Sequence, residues 1–277
     1  MTTTLRPTRP LQQGTDGAKN SAYDVCDNGR PVGSVEIGTD AAFGASTGVL
    51  LSLNIDEPSR RRGRGTIAAL AAEEVLRGWG CGLVRLSVPE GNEGARRLAA
   101  ALGYTDRSRN MLKDLGPAAP ALPDGVVARE MTAEEFMVWR RTSIDTYAQS
   151  WIDEGIPAEQ AMQKSRADHA RNLPDGLDSA GMHFHVLVAG DTVVGHVWVS
   201  VSEAGGEATG FVFDVEVGEE HRGRGHGRAL MQEAEHITLA AGARRLGLHV
   251  FAANTPALRL YESLGYRTTQ YNLAKNL

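Results

Sequence analysis

Through the second half of the chain, apolar positions change from a two-residue period to a helical one and back. His183 to Val188 and Val193 to Ser202 are rich in β-branched and aromatic residues, and Ala189-Gly190-Asp191-Thr192 between them has the turn chemistry of a β-hairpin. Phe211 to Val217 reads as a third strand. Past a charged, glycine-rich stretch, Arg228 to Ala241 carries Ala, Leu, Met and Ile at helical spacing and stops at Gly242. A buried strand is predicted over Leu246 to Phe251. A helix follows over Thr255 to Leu264, with Pro256 in its first turn and Gly265 as its stop, and then a last strand over Tyr266 to Asn272. Upstream, Thr132-Ala133-Glu134-Glu135 has the capping-box pattern that opens a helix. These elements predict an α+β module: a mixed, mostly antiparallel twisted sheet flanked by helices, with one strand running through a glycine loop into a helix start.

The same pattern occurs twice. A shift of 162 residues superposes Val32-Gly33 on Val194-Gly195, Arg60 on Arg222, Gly63 and Gly65 on Gly225 and Gly227, and Ala72-Glu73 on Ala234-Glu235. Without a gap it continues to Leu102-Gly103-Tyr104 on Leu264-Gly265-Tyr266. About a third of the positions from 32 to 104 are identical, including most turn glycines, so the chain reads as two copies of one module. Residues 1–115 form the first copy, 116–124 a Pro/Ala linker and 125–277 the second. Before its hairpin the second copy has some 60 residues and the first only about 20. Those 20 are expected to supply neither the leading strand nor the helices, which makes the first copy a truncated module.

Composition narrows the setting. Net charge is -5, which gives no reason to expect nucleic acid or an anionic membrane as partner. Only Cys26 and Cys81 are present, too few for a disulfide framework, and no His/Cys cluster suggests a metal. The sequence has no 18-residue apolar run and no apolar segment near its start, so the expectation is a soluble, cytoplasmic protein.

The chemistry centres on Arg222-Gly223-Arg224-Gly225-His226-Gly227-Arg228. A helix start offers unpaired N–H groups and the positive end of its dipole, and glycines let a phosphate approach that backbone. Neither the Gly-Lys-Ser/Thr of a P-loop nor a G-x-G-x-x-G register is present, so nucleotide triphosphate and dinucleotide sites fit poorly. Downstream stand Asn254, Tyr261 seven residues later, and Leu264-Gly265-Tyr266. Strand, Arg-x-x-Gly-x-Gly loop, Asn, Tyr and Leu-Gly-Tyr, in this order and spacing, resemble the GCN5-related N-acetyltransferase (GNAT) superfamily, here as a tandem-module protein with a degenerate N-terminal copy.

That resemblance implies that Gly223 to Arg228, with Arg222, bind the pyrophosphate of coenzyme A. It implies too that Val215, Glu216 and Val217 pair with the pantetheine arm, that the Val217 N–H points at the thioester carbonyl, and that Asn254 lies near the thioester arm. Tyr261 falls where the family places the acid that protonates the leaving thiolate; its alternative is a core aromatic. For the base that deprotonates the acceptor amine, Glu216 and His249 are the candidates, each balanced by a structural role. Asp214, on the same strand face as Glu216, reads as a solvated residue.

The first copy keeps the loop as Arg60-Arg61-Arg62-Gly63-Arg64-Gly65, with four arginines, and keeps Asn92; Ala99 stands in place of Tyr261 and Ser87 in place of His249. The loop predicts coenzyme binding in both copies, and Tyr261 predicts catalysis in the second alone. The first copy is expected to serve as a scaffold, packed as an intramolecular pseudo-dimer, with a homodimer left open. Acceptor specificity is expected from residues 125–181 and the hairpins; the acids of that segment, including Glu134, Glu135, Asp153, Glu154, Glu159 and Asp168, favour a small cationic amine or else form solvated helix faces. Trp139, Tyr147 and Trp151 could line an acceptor pocket or fill a core. The expected activity is transfer of an acetyl group from acetyl-CoA to an amine in a ternary complex. The alternatives are an acyl-CoA-binding sensor without turnover and an acyltransferase using another acyl-CoA.

Overall fold

A computed structural model describes residues 2–14, 17–40, 42–204 and 206–277. Along the first half run β1 (Thr3–Pro7), β2 (Gln12–Gln13), β3 (Lys19–Asp27), β4 (Arg30–Asp40), β5 (Gly44–Ile55), α1 (Arg64–Gly78), β6 (Leu83–Pro89), α2 (Glu93–Ala101) and β7 (Thr105–Asp114). The second half adds β8 (Val126–Glu130), α3 (Ala133–Asp153), α4 (Ala158–Asn172), β9 (Met182–Ala189), β10 (Thr192–Ala204), β11 (Glu207–Val217), α5 (His226–Ala240), β12 (Arg245–Phe251), α6 (Thr255–Ser263) and β13 (Arg267–Asn276). The hairpin, the loop-to-helix passage and the final helix and strand fall where the periodicity predicts them.

Two compact units divide the chain, one running to Ser108 and adding Gln270–Leu277, the other being Arg109–Thr269. The cuts therefore lie inside β7 and β13, away from the proline stretch. Leu115 and Leu122 of that stretch pack on the core of the second unit, and the Leu115 N–H donates to the Arg244 carbonyl at 2.8 Å. In the first unit the sheet order is β1-β3-β4-β5-β6-β13, with β2 beside β3; in the second it is β7-β12-β11-β10-β9-β8. All neighbours with a described register are antiparallel except β5 with β6 and β11 with β12, which are parallel. Each sheet is a mixed, mostly antiparallel one carrying a long helix against its core, α1 over Val35, Ile37 and Val84, α5 over Val197, Val212 and Leu248.

One expectation is corrected. The first copy does have the leading strand: β1 pairs antiparallel with β3 just as β8 pairs with β9. An edge strand of five residues needs little apolar content, and Leu5 alone packs inward while Arg6 pairs with Asp24 at the surface. Among the described residues, α3 and α4 are the helices of the second copy without a counterpart in the first, where the short β2 lies between the equivalent strands.

Exchange of the last strands explains the cuts. β13 closes the sheet of the first unit, where Lys275 Nζ reaches the buried Glu73 Oε2 at 2.6 Å over the Tyr104 ring. In the second unit Lys113 of β7 reaches the buried Glu235 at 2.5 Å over the Tyr266 ring. Lys113 and Lys275, Glu73 and Glu235, and Tyr104 and Tyr266 are all related by the repeat shift of 162. Among the described residues no helix is long and apolar enough to cross a membrane.

Candidate active site

The site is built where two parallel strands part. β11 and β12 pair only through Gly210, Val212 and the residue between, against Leu246 to Leu248. Beyond that point β11 runs on to Val217 with β10 as its partner, leaving its other edge open toward β12. The Gly218 N–H donates to the Val194 carbonyl on β10 at 3.0 Å. Successive peptide groups in an extended strand point to opposite edges, so the N–H and C=O of Val217, and those of Val215, face the gap. Arg222 Nε donates to the Val217 carbonyl at 3.2 Å, which ties the loop to the strand end.

A β-bulge decides which side chains face where. Trp198 pairs with Asp214 but Val199 pairs with Val212, so Phe213 is an extra residue in β11. Val212 faces the α5 core, and Val215 and Val217 return to it because of that insertion. Asp214 and Glu216 consequently emerge on the opposite face, beneath α3.

After a 3-10 turn at Glu219–His221, Gly223 and Gly225 take φ of +77° and +86°, a region that favours glycine. Gly225 is the N-cap of α5 and no side chain caps it, whereas α3 has a complete capping box from Thr132 and Glu135. The Arg228 N–H donates to the Gly225 carbonyl at 3.0 Å, and the first-turn N–H groups of His226 and Gly227 stand beside exposed Arg222, Arg224 and Arg228, which suits a phosphate and fits the expected coenzyme loop. His226 and Gly227 form the first residues of the helix.

Of the other expected residues, Tyr261 is buried on α6, its ring 5.9 Å from that of Tyr266. Burial, with the negative charge of Asp214 adding, pushes its phenol up to about 12, so it stays protonated at neutral pH. Asn254 is the N-cap of α6 and its Oδ1 accepts the Ala257 N–H at 3.1 Å. His249 alternates with the core residues Leu248 and Val250; its ring stacks on Trp151 at 5.9 Å and meets the edge of Phe251 at 5.1 Å. Glu216 is exposed on a cavity of about 500 Å3 between α3 and the start of β10.

That cavity has an apolar wall of Met131, Val138, Trp139 and Val186, and a polar side with Glu134, His196, Glu216 and Glu220. Two of its lining residues converge on Asp214: Trp139 Nε1 donates to Oδ2 at 3.0 Å, and His196 Nε2 is 2.9 Å from the same oxygen. Burial opposes the charge on both partners, yet their mutual attraction prevails. His196 is raised above the ordinary histidine value by the Asp214 hydrogen bond and charge, with Glu216 adding. Asp214 is held below the usual carboxylate range by His196 and by the Trp139 N–H. His196, with 20% of its side chain exposed, is the member of the pair that lines the cavity.

Sequence reasoning passed over this trio, since a histidine and an aspartate on neighbouring strands become partners only through the register, and the bulge hides the register. Trp139 and Trp151 belong to an aromatic cluster with Phe184, Trp198 and His249, while Tyr147 bonds Asp168. Two of the acids expected to attract a cation are already paired: Asp168 with Lys164 and Arg171, each at 2.6 Å, and Glu135 with Arg129 at 2.7 Å. In the first unit Arg64 is turned inward onto Asp27 and the Ser59 carbonyl, so it does not add to that loop's outward charge. Ser87 bonds Asn272, and Ala99 is buried.

Comparison with known proteins agrees with this geometry. The acetyltransferase (GNAT) family model matches residues 4–104 and again 143–266. Over 150 residues the chain is 30% identical to an uncharacterised N-acetyltransferase of Bacillus subtilis strain 168, YdgE, covering 53% of this chain and 96% of that protein. It is 31% identical over 227 residues to a mycothiol acetyltransferase of Streptomyces scabiei, covering 78% of this chain and 68% of that one. Among solved structures, a tandem GNAT protein from the clavulanic acid biosynthesis pathway shares the fold with a TM-score of 0.53 at 18% identity, over 95% of this chain and 85% of its own. A GCN5-related N-acetyltransferase from Sphaerobacter thermophilus does so with a TM-score of 0.55 at 21% identity, over 92% and 80%. The family model twice over, on two units that each carry the parted strands and the glycine loop, makes this chain a tandem member of the GNAT acetyltransferase family.

Proposed function

We propose that the protein transfers the acetyl group of acetyl-CoA to the amine of a small molecule, with the chemistry confined to its second unit. The observation that carries this reading is the open edge of β11: the Val217 N–H faces the gap beside an uncapped helix start, with a buried, protonated Tyr261 nearby. The residues present fit coenzyme A. Gly223 and Gly225 open the loop, the α5 start and Arg222, Arg224 and Arg228 offer charge for a pyrophosphate, and Val215 and Val217 offer a strand edge to an amide-bearing arm. Bound acetyl-CoA supplies the activated thioester. Val217 donates to the oxyanion that forms on its carbonyl, Tyr261 gives a proton to the departing sulfur, and Asn254 holds the start of α6 in place.

The acceptor occupies the cavity under α3. Its lining carries Glu134, Glu216 and Glu220 and no Lys or Arg, which supports a cationic amine. Relatives named mycothiol acetyltransferases align over 78% of this chain, so amines related to mycothiol belong in the acceptor panel. The first unit acts as a scaffold, supported by Ala99 in place of Tyr261 and by the absence of α3 and α4 counterparts among its described residues.

Release of thiol from acetyl-CoA, measured against an amine panel for wild type and Tyr261→Phe, tests the reading. Wild type should turn over at least one amine, and Tyr261→Phe should lower kcat by about a hundredfold. Coenzyme binding without turnover of any amine would establish the sensor alternative instead.

A further inference from the structure

From this trio we infer that His196, which lines the cavity and is held by Asp214 and Trp139, is the group that takes the proton from the acceptor amine; the inference rests on the N-acetyl transfer reading above. Three observations carry it. His196 lines the cavity proposed for the acceptor, on the strand next to β11, and its backbone pairs with that of Glu216, one residue from Val217. Its Nε2 is bound to a carboxylate oxygen, and a carboxylate can only accept, so Nε2 carries the hydrogen and Nδ1 carries the lone pair. The carboxylate is itself fixed from a second direction by the Trp139 N–H, so neither its rotation nor a tautomer exchange is free.

Competing candidates serve other roles. The His249 ring is stacked against Trp151 and Phe251. Glu216 is two residues from Asp214 on the same strand face and lines the cavity, where its charge attracts an ammonium. The titratable groups around His196 are Asp214, bonded to it, and Glu134 on α3, Glu216 on β11 and Glu220 and His221 on the turn, which line the same cavity; His169 on α4 lies against the Trp139 ring and acts on the Asp214 carboxylate.

The step balances as follows. His196 Nδ1 takes one proton from the ammonium, and the freed nitrogen lone pair attacks the thioester carbonyl carbon. As the adduct collapses the C–S bond breaks, the thiolate takes the Tyr261 proton, and the second nitrogen proton restores Tyr261. The imidazolium then releases the first proton to water. Asp214 and Trp139 are positioning residues in this scheme.

Two measurements test it. The first is kcat/KM against pH with acetyl-CoA and whichever of benzylamine, 1,4-diaminobutane and glucosamine the wild type acetylates. Activity should fall as pH drops through the His196 pKa. Asp214→Asn, which removes the charge that raises that pKa, should move the acid limb to lower pH and reduce kcat about tenfold. His196→Gln should erase the limb and lower kcat about a hundredfold with little change in KM. Trp139→Phe should lower kcat less and leave the limb near its wild-type position. A His196→Gln enzyme that keeps both limb and rate overturns the inference while leaving acetyl transfer intact. No wild-type turnover of any amine counts against the transfer reading itself. The second measurement needs no turnover: imidazole nitrogen NMR of the full chain should show His196 as the Nε2–H tautomer, reverting toward a mixture in Asp214→Asn. An Nδ1–H tautomer in wild type overturns the inference directly.

Discussion

Gly195 has no room for a side chain. A Cβ built there would overlap the carbonyl oxygen of Glu216 and lie 3.0 Å from Leu230 Cδ1, and Gly33 of the first copy meets the backbone of Asn54 in the same way. The close approach holds β10 and β11 together at the residues that carry His196, Glu216 and Val217. Gly195→Ala should therefore push the strands apart and destabilise the fold by about 1–3 kcal/mol, with a loss of acetyl transfer that exceeds the loss of stability. Chemical denaturation beside steady-state kinetics checks this; an alanine variant with unaltered kcat/KM would mean the spacing is not critical. At this scale the sequence was informative where a single residue type has few reasons to be present. Gly223 and Gly225 at positive φ, and Tyr261 on the final helix, stand where their types and spacing placed them. It misread Asp214, whose neighbours explain it better than its polarity does: an acid on a strand face reads as solvated until His196 and Trp139 are seen to point at it.

Elements position these residues, and α3 matters most because it brings Trp139 over Asp214. Its start is secured by Thr132 and Glu135, which cap each other's backbone at 3.2 and 2.8 Å, and by the Arg129 fork on Glu135. The Arg129 hydrogen bonds, more than the capping contacts, bring the Glu135 carboxyl down to about 2. A carboxylate whose pKa is lowered on folding stabilises the native state above its unfolded value and loses that contribution as pH falls toward 2. Replacing Glu135 with glutamine should thus cost about 0.5–1 kcal/mol at pH 7, with the gap to wild type narrowing as pH drops below about 4. Urea denaturation at pH 7 and pH 3 measures this, and a gap that widens in acid would refute the assignment. The capping box was legible because it is local, four residues in a row. The bulge at Phe213 was not, since an extra residue is visible only against its partner strand, and the leading strand β1 was missed because five residues with one inward leucine carry almost no periodic signal.

For the whole molecule, the repeat shift of 162 organises structure as well as sequence. Both units show a parallel pair that parts early, a bulge at the equivalent residues Leu51 and Phe213, and a loop arginine bonded to the strand end, Arg60 to Ile55 and Arg222 to Val217. Exchange of β7 and β13 could not be read from the repeat, because equivalent strands satisfy either sheet equally well by pattern. What differs is the chemistry around the loops: Ala99, Ser34 and Ser52 stand where the second unit has Tyr261, His196 and Asp214, and among the described residues the first unit has no counterpart of α3 and α4. The most direct test is to block each loop in turn with a negative charge that the helix itself tolerates, as an acid in the first helical turn suits the dipole. Gly227→Asp and Gly65→Asp place that charge at equivalent positions of α5 and α1. With thiol release from acetyl-CoA as the readout, Gly227→Asp should raise KM for acetyl-CoA by about tenfold or more, and Gly65→Asp should leave kcat/KM within about twofold of wild type. Loss of turnover in Gly65→Asp with full activity in Gly227→Asp would place the chemistry in the first unit and contradict the account.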